Sequence, residues 1–156
     1  MNTRSQRSGF TLLELMVVVV IIGLLAAIAI PTFRGLRATT HASTTAKEFR
    51  TFVGIFEHYG FEQGAWPADT APGVVPPGLE DAFVADDFTA TSKIGGHWDW
   101  QYQQNGVYAA LAITDPTINE DYQRKIDALL DDGDLTTGSF QKLGGNSLTY
   151  IIEEVE

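Results

Sequence analysis

The chain has 156 residues, enough for one domain with room for an appendage. Its 20 acidic residues outnumber 10 basic ones, for a net charge of -10, so it repels a phosphate backbone and no nucleic acid is expected as a partner. It has no cysteine, which removes disulfides, thiolate chemistry and cysteine metal sites together.

The charge is uneven. Up to residue 50 stand Arg4, Arg7, Arg34, Arg37, Lys47 and Arg50 against Glu14 and Glu48 alone. Beyond it, 4 basic residues face 18 acidic ones. Between the first basic pair and the acidic bulk, Leu15 to Ile30 carries no charge. Phe10 to Ile30 is 21 residues, and as a helix it spans roughly 31 Å, the thickness of a hydrocarbon core. Arg4 and Arg7 ahead of it predict a cytoplasmic N-terminus, with the rest of the chain exported. A cleaved signal peptide ahead of an exported soluble domain is the competing reading, and Ala27-Ile28-Ala29 offers it a cut site. The length of the apolar run and the acid Glu14 at its front edge weigh against that reading.

The string "RSGFTLLELMVVVVIIGLLAAIAIPTF", Arg7 to Phe33, resembles the N-terminus of type IV pilins and type II secretion pseudopilins. The resemblance rests on basic residues, Gly9 before Phe10, Glu14 five residues into the mature chain, an unbroken apolar stretch and Pro31 near its end. It implies that a prepilin peptidase cuts after Gly9 and that the new amine of Phe10 is methylated, which leaves it charged. It further implies that Glu14 meets the Phe10 amine of a neighbouring subunit during assembly. An unmatched axial stagger would leave both charges bare, so the pair would fix the register of a filament. A head-to-tail contact of this kind generates helices. The plainer reading of Glu14 is local, an acid offsetting the N-terminus of its own helix.

Past Pro31 the helical pattern resumes. Ala42, Ala46, Phe49, Val53 and Phe56 make one apolar face, widened by Phe52 and Tyr59. One helix from about Phe10 to Tyr59 is expected, loosened near Pro31. The resemblance adds Gly23 and Pro31 as places where the helix kinks or melts in a fibre. The domain reading is a leader at 1–9, a transmembrane and polymerisation half at 10–33, a head-packing half at 34–59 and a globular periplasmic head at 60–156.

The head begins with a loop, 60–78, broken by four prolines and several glycines. A short helix is expected over Leu79 to Phe88, with Leu79, Ala82 and Phe83 inward, and a turn at Lys93 to Gly96. Trp98, Trp100 and Tyr102 alternate with polar residues, and Asn105-Gly106 is a hairpin turn into the strand Val107 to Ile113. Ile118, Tyr122, Ile126 and Leu129 or Leu130 mark a short helix, roughly 118–131, stopped at Gly133. Ser139 to Leu143 and Leu148 to Ile152 form a second hairpin. The fold class is therefore α+β and pilin-like, with the long helix on an antiparallel sheet of about four strands.

Little in the head points to chemistry. No nucleophile triad, phosphate loop or dinucleotide fingerprint is present, so no enzyme and no cofactor are expected. His97 and Asp99 share a strand face, without an evident third metal ligand. Asp131, Asp132 and Asp134 are the candidate calcium ligands, although "DDGDLTTG" departs from the EF-hand spacing. The function expected is a structural filament subunit. Its partners are other pilins, the prepilin peptidase, an inner-membrane assembly platform and membrane lipid. Its place is the inner membrane, single-pass, with a periplasmic head, and then the filament. The short acidic head without a disulfide tilts the reading from pilus to pseudopilus. A membrane-anchored monomer that never enters a fibre is a third possibility.

Overall fold

The computed structural model describes residues 11–83 and 87–155, and for 31, 32 and 34–38 the backbone alone. The elements in chain order are α1 (Leu12–Gln63), β1 (His97–Tyr102), β2 (Val107–Thr114), α2 (Glu120–Leu130), β3 (Phe140–Leu143) and β4 (Ser147–Glu154). Residue contacts divide the chain into two units, one ending at Arg37 and one beginning at Ala38.

The first unit is the front of α1. Leu12 to Ile30 is apolar on every side, and none of it is buried against the rest of the chain. Its leucines, valines and isoleucines are exposed, Leu12 at 78%. A helix with no polar face needs a covering that water does not supply.

The second unit has its own core. From α1 it takes Ala42, Ala46, Phe49, Phe52, Val53 and Phe56, all buried, so the expected stripe is the packing face, with Tyr59 half-buried beyond it. That face meets the inner side of the sheet through aromatic rings. Phe56 stacks on Trp100 at 4.0 Å between centroids, with the planes 4° apart. Phe49 and Phe52 each pack edge-on against Trp98, at 4.8 and 4.7 Å. Such pairs add about 0.5–1.5 kcal/mol each to the gain from burial.

The helix does not stop at Tyr59. It runs to Gln63, because Gly60 is tolerated inside it and the left-handed residue comes later. Gly64, at φ +69°, donates its N–H to the Gly60 carbonyl at 2.9 Å and closes the C-terminus. Gly60 has another use. A Cβ there would lie 3.1 Å from the Trp66 ring, so its bareness seats that indole against the helix.

The sheet is antiparallel throughout, in the order β1-β2-β4-β3, so the two expected hairpins join through β2 and β4. Trp100, Leu111 and Tyr150 are aligned across three strands on the inner side. The outer side carries Asp99, Gln101, Ala110, Ala112 and Thr149, and all five are buried. The alternation of Trp98, Trp100 and Tyr102 with polar residues therefore does not mark a solvated face. On that side Asp69 to Pro72 and the β1–β2 turn residues Gln104 and Asn105 line a hollow together with Asp99 and Gln101.

One further expectation is corrected. Leu79 to Phe88 forms no helix among its described residues. The chain there turns through i+3 contacts, Leu79 N–H to Pro76 carbonyl and Ala82 N–H to Leu79 carbonyl. Leu79, Phe83 and Phe88 are buried and Ala82 is exposed. In α2, capped by Asn119, whose side chain accepts from the Tyr122 N–H at 3.1 Å, the buried residues are Gln123, Ile126 and Asp127, while Leu129 is exposed and Leu130 half-buried.

Candidate functional site

The site that the sequence singles out lies at the start of α1. Thr11 is the last residue before the helix, and Glu14 is in its first turn. The Thr11 N–H donates to Glu14 Oε2 at 2.9 Å, and the Thr11 hydroxyl donates to the same oxygen at 2.9 Å. In return the Glu14 N–H donates to Thr11 Oγ1 at 3.3 Å. This is a reciprocal capping box, and T-L-L-E at 11–14 is its sequence signature, which the reading of Glu14 as a lone acid passed over. Among the described residues, Oε1 of Glu14 takes none of these bonds. The carboxylate thus satisfies its own helix end with one oxygen and presents the other.

Gly9 and Phe10 lie outside the described residues. Gly23 and Pro31 both fall within α1. A Cβ at Gly23 would meet nothing within 4 Å, so no packing requires glycine there.

In the head, the candidate acids group differently from expectation. Carboxylate oxygens of Asp127, Asp131 and Asp132 lie within 4.8 Å of one another. Asp134 is not of that set, because its Oδ1 accepts from the Thr136 N–H and hydroxyl, at 3.1 and 2.7 Å. These bonds hold its carboxyl below the usual range. Asp132 accepts from the Asp134 N–H and the Thr137 hydroxyl, and Asp131 from the N–H groups of Ser139 and Phe140. Asp127 is fully buried, with no side-chain partner for its carboxylate and only the backbone N–H of Gly133 turned towards it, which favours the charged form. Burial first, and then the charges of Asp132, Asp131 and Asp134, push its carboxyl up. His97 is exposed, while Asp99 is buried and accepts from Gln101 Nε2 at 3.0 Å.

Comparison with known proteins bears on the whole chain. Residues 4–30 match the model of the prokaryotic N-terminal methylation motif. The chain is 30% identical over 128 residues to the type IV major pilin protein PilE1 of Neisseria gonorrhoeae, covering 81% of this chain and 68% of that one. It is 36% identical over 78 residues to the fimbrial protein EcpC of Eikenella corrodens, half of this chain and 51% of that protein, so it spans about half the length of this relative. It is 34% identical over 65 residues to the type II secretion system core protein G of Pseudomonas aeruginosa, 42% of this chain and 46% of that one. No solved structure gives a significant match. The chain belongs to the type IV pilin family, whose members are structural proteins rather than enzymes.

Proposed function

We propose that this protein is a filament subunit, cut between Gly9 and Phe10 by a prepilin peptidase, methylated on Phe10 and polymerised through its N-terminal helix. The observation that carries this reading is Leu12–Ile30, a helix whose one charge is Glu14 and whose apolar side chains are exposed on every face among the described residues. Lipid covers it before assembly, and other copies of the same helix cover it afterwards. Arg4 and Arg7 support a cytoplasmic N-terminus in the inner membrane and a periplasmic head, with an assembly platform extracting the subunit. Glu14, with Oε1 open, is the group that receives a neighbour's Phe10 amine and sets the stagger. Gly23 and Pro31 are where the helix gives when copies pack.

The breadth of similarity supports a pilus. The gonococcal pilin aligns over 128 residues of helix and head, and protein G over 65. The cysteine-free acidic head favours a secretion pseudopilus as the second reading. Deleting the gene separates them: loss of surface fibres marks a pilus, and retention of exoproteins in the periplasm marks a pseudopilus.

Should the head take calcium, Asp127, Asp131 and Asp132 are the residues to hold it, because their carboxylate oxygens lie within 4.8 Å of one another and among the described residues no basic side chain pairs with them.

The test of the main reading is intact-mass spectrometry of the protein from its native host, with fragmentation of the N-terminus. A methylated Phe10 terminus is expected. A terminus near Ile30 would replace this reading with an exported soluble domain.

A further inference from the structure

The head carries a groove that neither its core nor the assembly helix uses. It lies between the end of α1, the loop that follows it and the adjoining ends of β1, β2 and β4. Its volume is about 620 Å³, within the range of small-molecule sites. Phe61, Trp66, Tyr102 and Tyr108 supply its aromatic surface, and Glu57 and Glu153 supply its charge. No lysine or arginine lines it, and among the described residues no basic side chain pairs with either acid.

The walls are held in place. Trp66 Nε1 donates to Glu153 Oε2 at 2.6 Å, which fixes an indole and a carboxylate as one surface. The same indole rests on Gly60 and leans on Trp100, at 5.7 Å between centroids. Tyr102 and Tyr108 meet edge-on at 5.4 Å, with their hydroxyls 3.4 Å apart. At the rim, Phe61 is 90% exposed, a large ring that the fold itself does not cover.

We propose that this groove binds an organic cation, an ammonium or guanidinium group on an apolar stem. The faces of aromatic rings attract such a group, and the two carboxylates offset its charge. An anion would meet two like charges. A neutral ligand would gain nothing from the two exposed acids. A free trimethylammonium compound and a basic side chain of another polypeptide share this chemistry.

The experiment uses the full chain in a maltoside detergent and follows the Trp66 indole N–H by NMR. Choline and N-acetyl-argininamide are titrated as the two cations, and 3,3-dimethylbutan-1-ol as the neutral isostere of choline. A saturable shift with at least one cation is expected, with the alcohol weaker by about ten-fold. Saturation by choline alone assigns the site to free amines, and by the arginine derivative alone to a basic side chain. Glu57→Gln and Phe61→Ala alter exposed residues and should each weaken the cation several-fold with an unchanged melting temperature. The proposal is overturned if neither cation saturates, if the alcohol matches choline, or if both Glu57→Gln and Phe61→Ala bind as the parent does.

Discussion

Thr11 and Glu14 satisfy each other across the first turn of α1, the threonine giving two hydrogen bonds to one carboxylate oxygen and receiving one from the Glu14 amide. An acid at the edge of an apolar span therefore has partners before any second subunit arrives. Removing the Thr11 hydroxyl should loosen the carboxylate without deleting it. Thr11→Ala is expected to weaken the helix end by about 1 kcal/mol and to lower fibre yield in part, with Thr11→Ser close to the parent. Glu14→Ala should leave the Phe10 terminus intact and abolish fibres. Sheared-filament yield, read beside N-terminal mass, checks both. Normal fibres from Glu14→Ala would refute the register role.

The aromatic contact of Phe56 with Trp100 is the centre of the head's stability. Trp100→Ala should cost about 3–5 kcal/mol through the cavity it leaves. Phe56→Leu, which keeps most of the bulk and loses the stacked ring, should cost about 1 kcal/mol. Denaturant unfolding followed by near-ultraviolet circular dichroism measures both.

The buried Asp127 predicts that the stability of the head depends on pH. Burial raises its carboxyl in the folded state, so the folded head holds this proton more tightly than the unfolded chain does. This group's contribution therefore favours folding at low pH and is lost as pH rises through its folded value. Asp127→Asn should remove that dependence and raise the melting temperature at pH 7 by a few degrees in the presence of a chelator. Calcium should then stabilise the parent and not the variant. Melting curves from pH 4 to 8, with calcium or EGTA, test both parts, and equal calcium shifts in the two proteins would discard the cluster as an ion site.

Gly23 can be tested against its own surroundings. Among the described residues nothing crowds it, so Gly23→Ala should raise the stability of the apolar front of α1 by up to about 1 kcal/mol. If this position must loosen when copies pack, the more stable helix will assemble less well. Helicity in detergent should rise while fibre yield falls. At Gly64, by contrast, the left-handed backbone makes alanine unfavourable by about 1 kcal/mol, and the last turn of α1 should fray.

Where side-chain pattern sets structure, the sequence is readable. The Phe49–Val53–Phe56 face, the Asn105-Gly106 hairpin and both glycine-rich turns of the sheet follow from spacing and turn chemistry. The end of α1 was misplaced because Gly60 and Gly64 are equivalent as letters, and only packing shows that Trp66 occupies the first. In α2, Gln123, Ile126, Asp127 and Leu130 fall on a helical face next to that of Ile118, Tyr122, Ile126 and Leu129 or Leu130, and tertiary contact chooses between them. A buried acid is invisible to a rule that reads hydrophobes as inside. The capping box is legible in T-x-x-E at 11–14, and it gives the local reading of Glu14 a specific partner in Thr11.

Both margins of the sheet are occupied. Along β1, the segment from Pro67 to Gly73 takes the outward groups: Gly73 donates to the Trp98 carbonyl, and the Asp69 carboxylate accepts from the Tyr102 amide. Along β3, four residues long, the Lys142 amide is claimed by the Leu135 carbonyl. The heads of a filament subunit lie among other heads of their own kind, and sealed margins deny them a ribbon-to-ribbon adhesion that would compete with the ordered assembly.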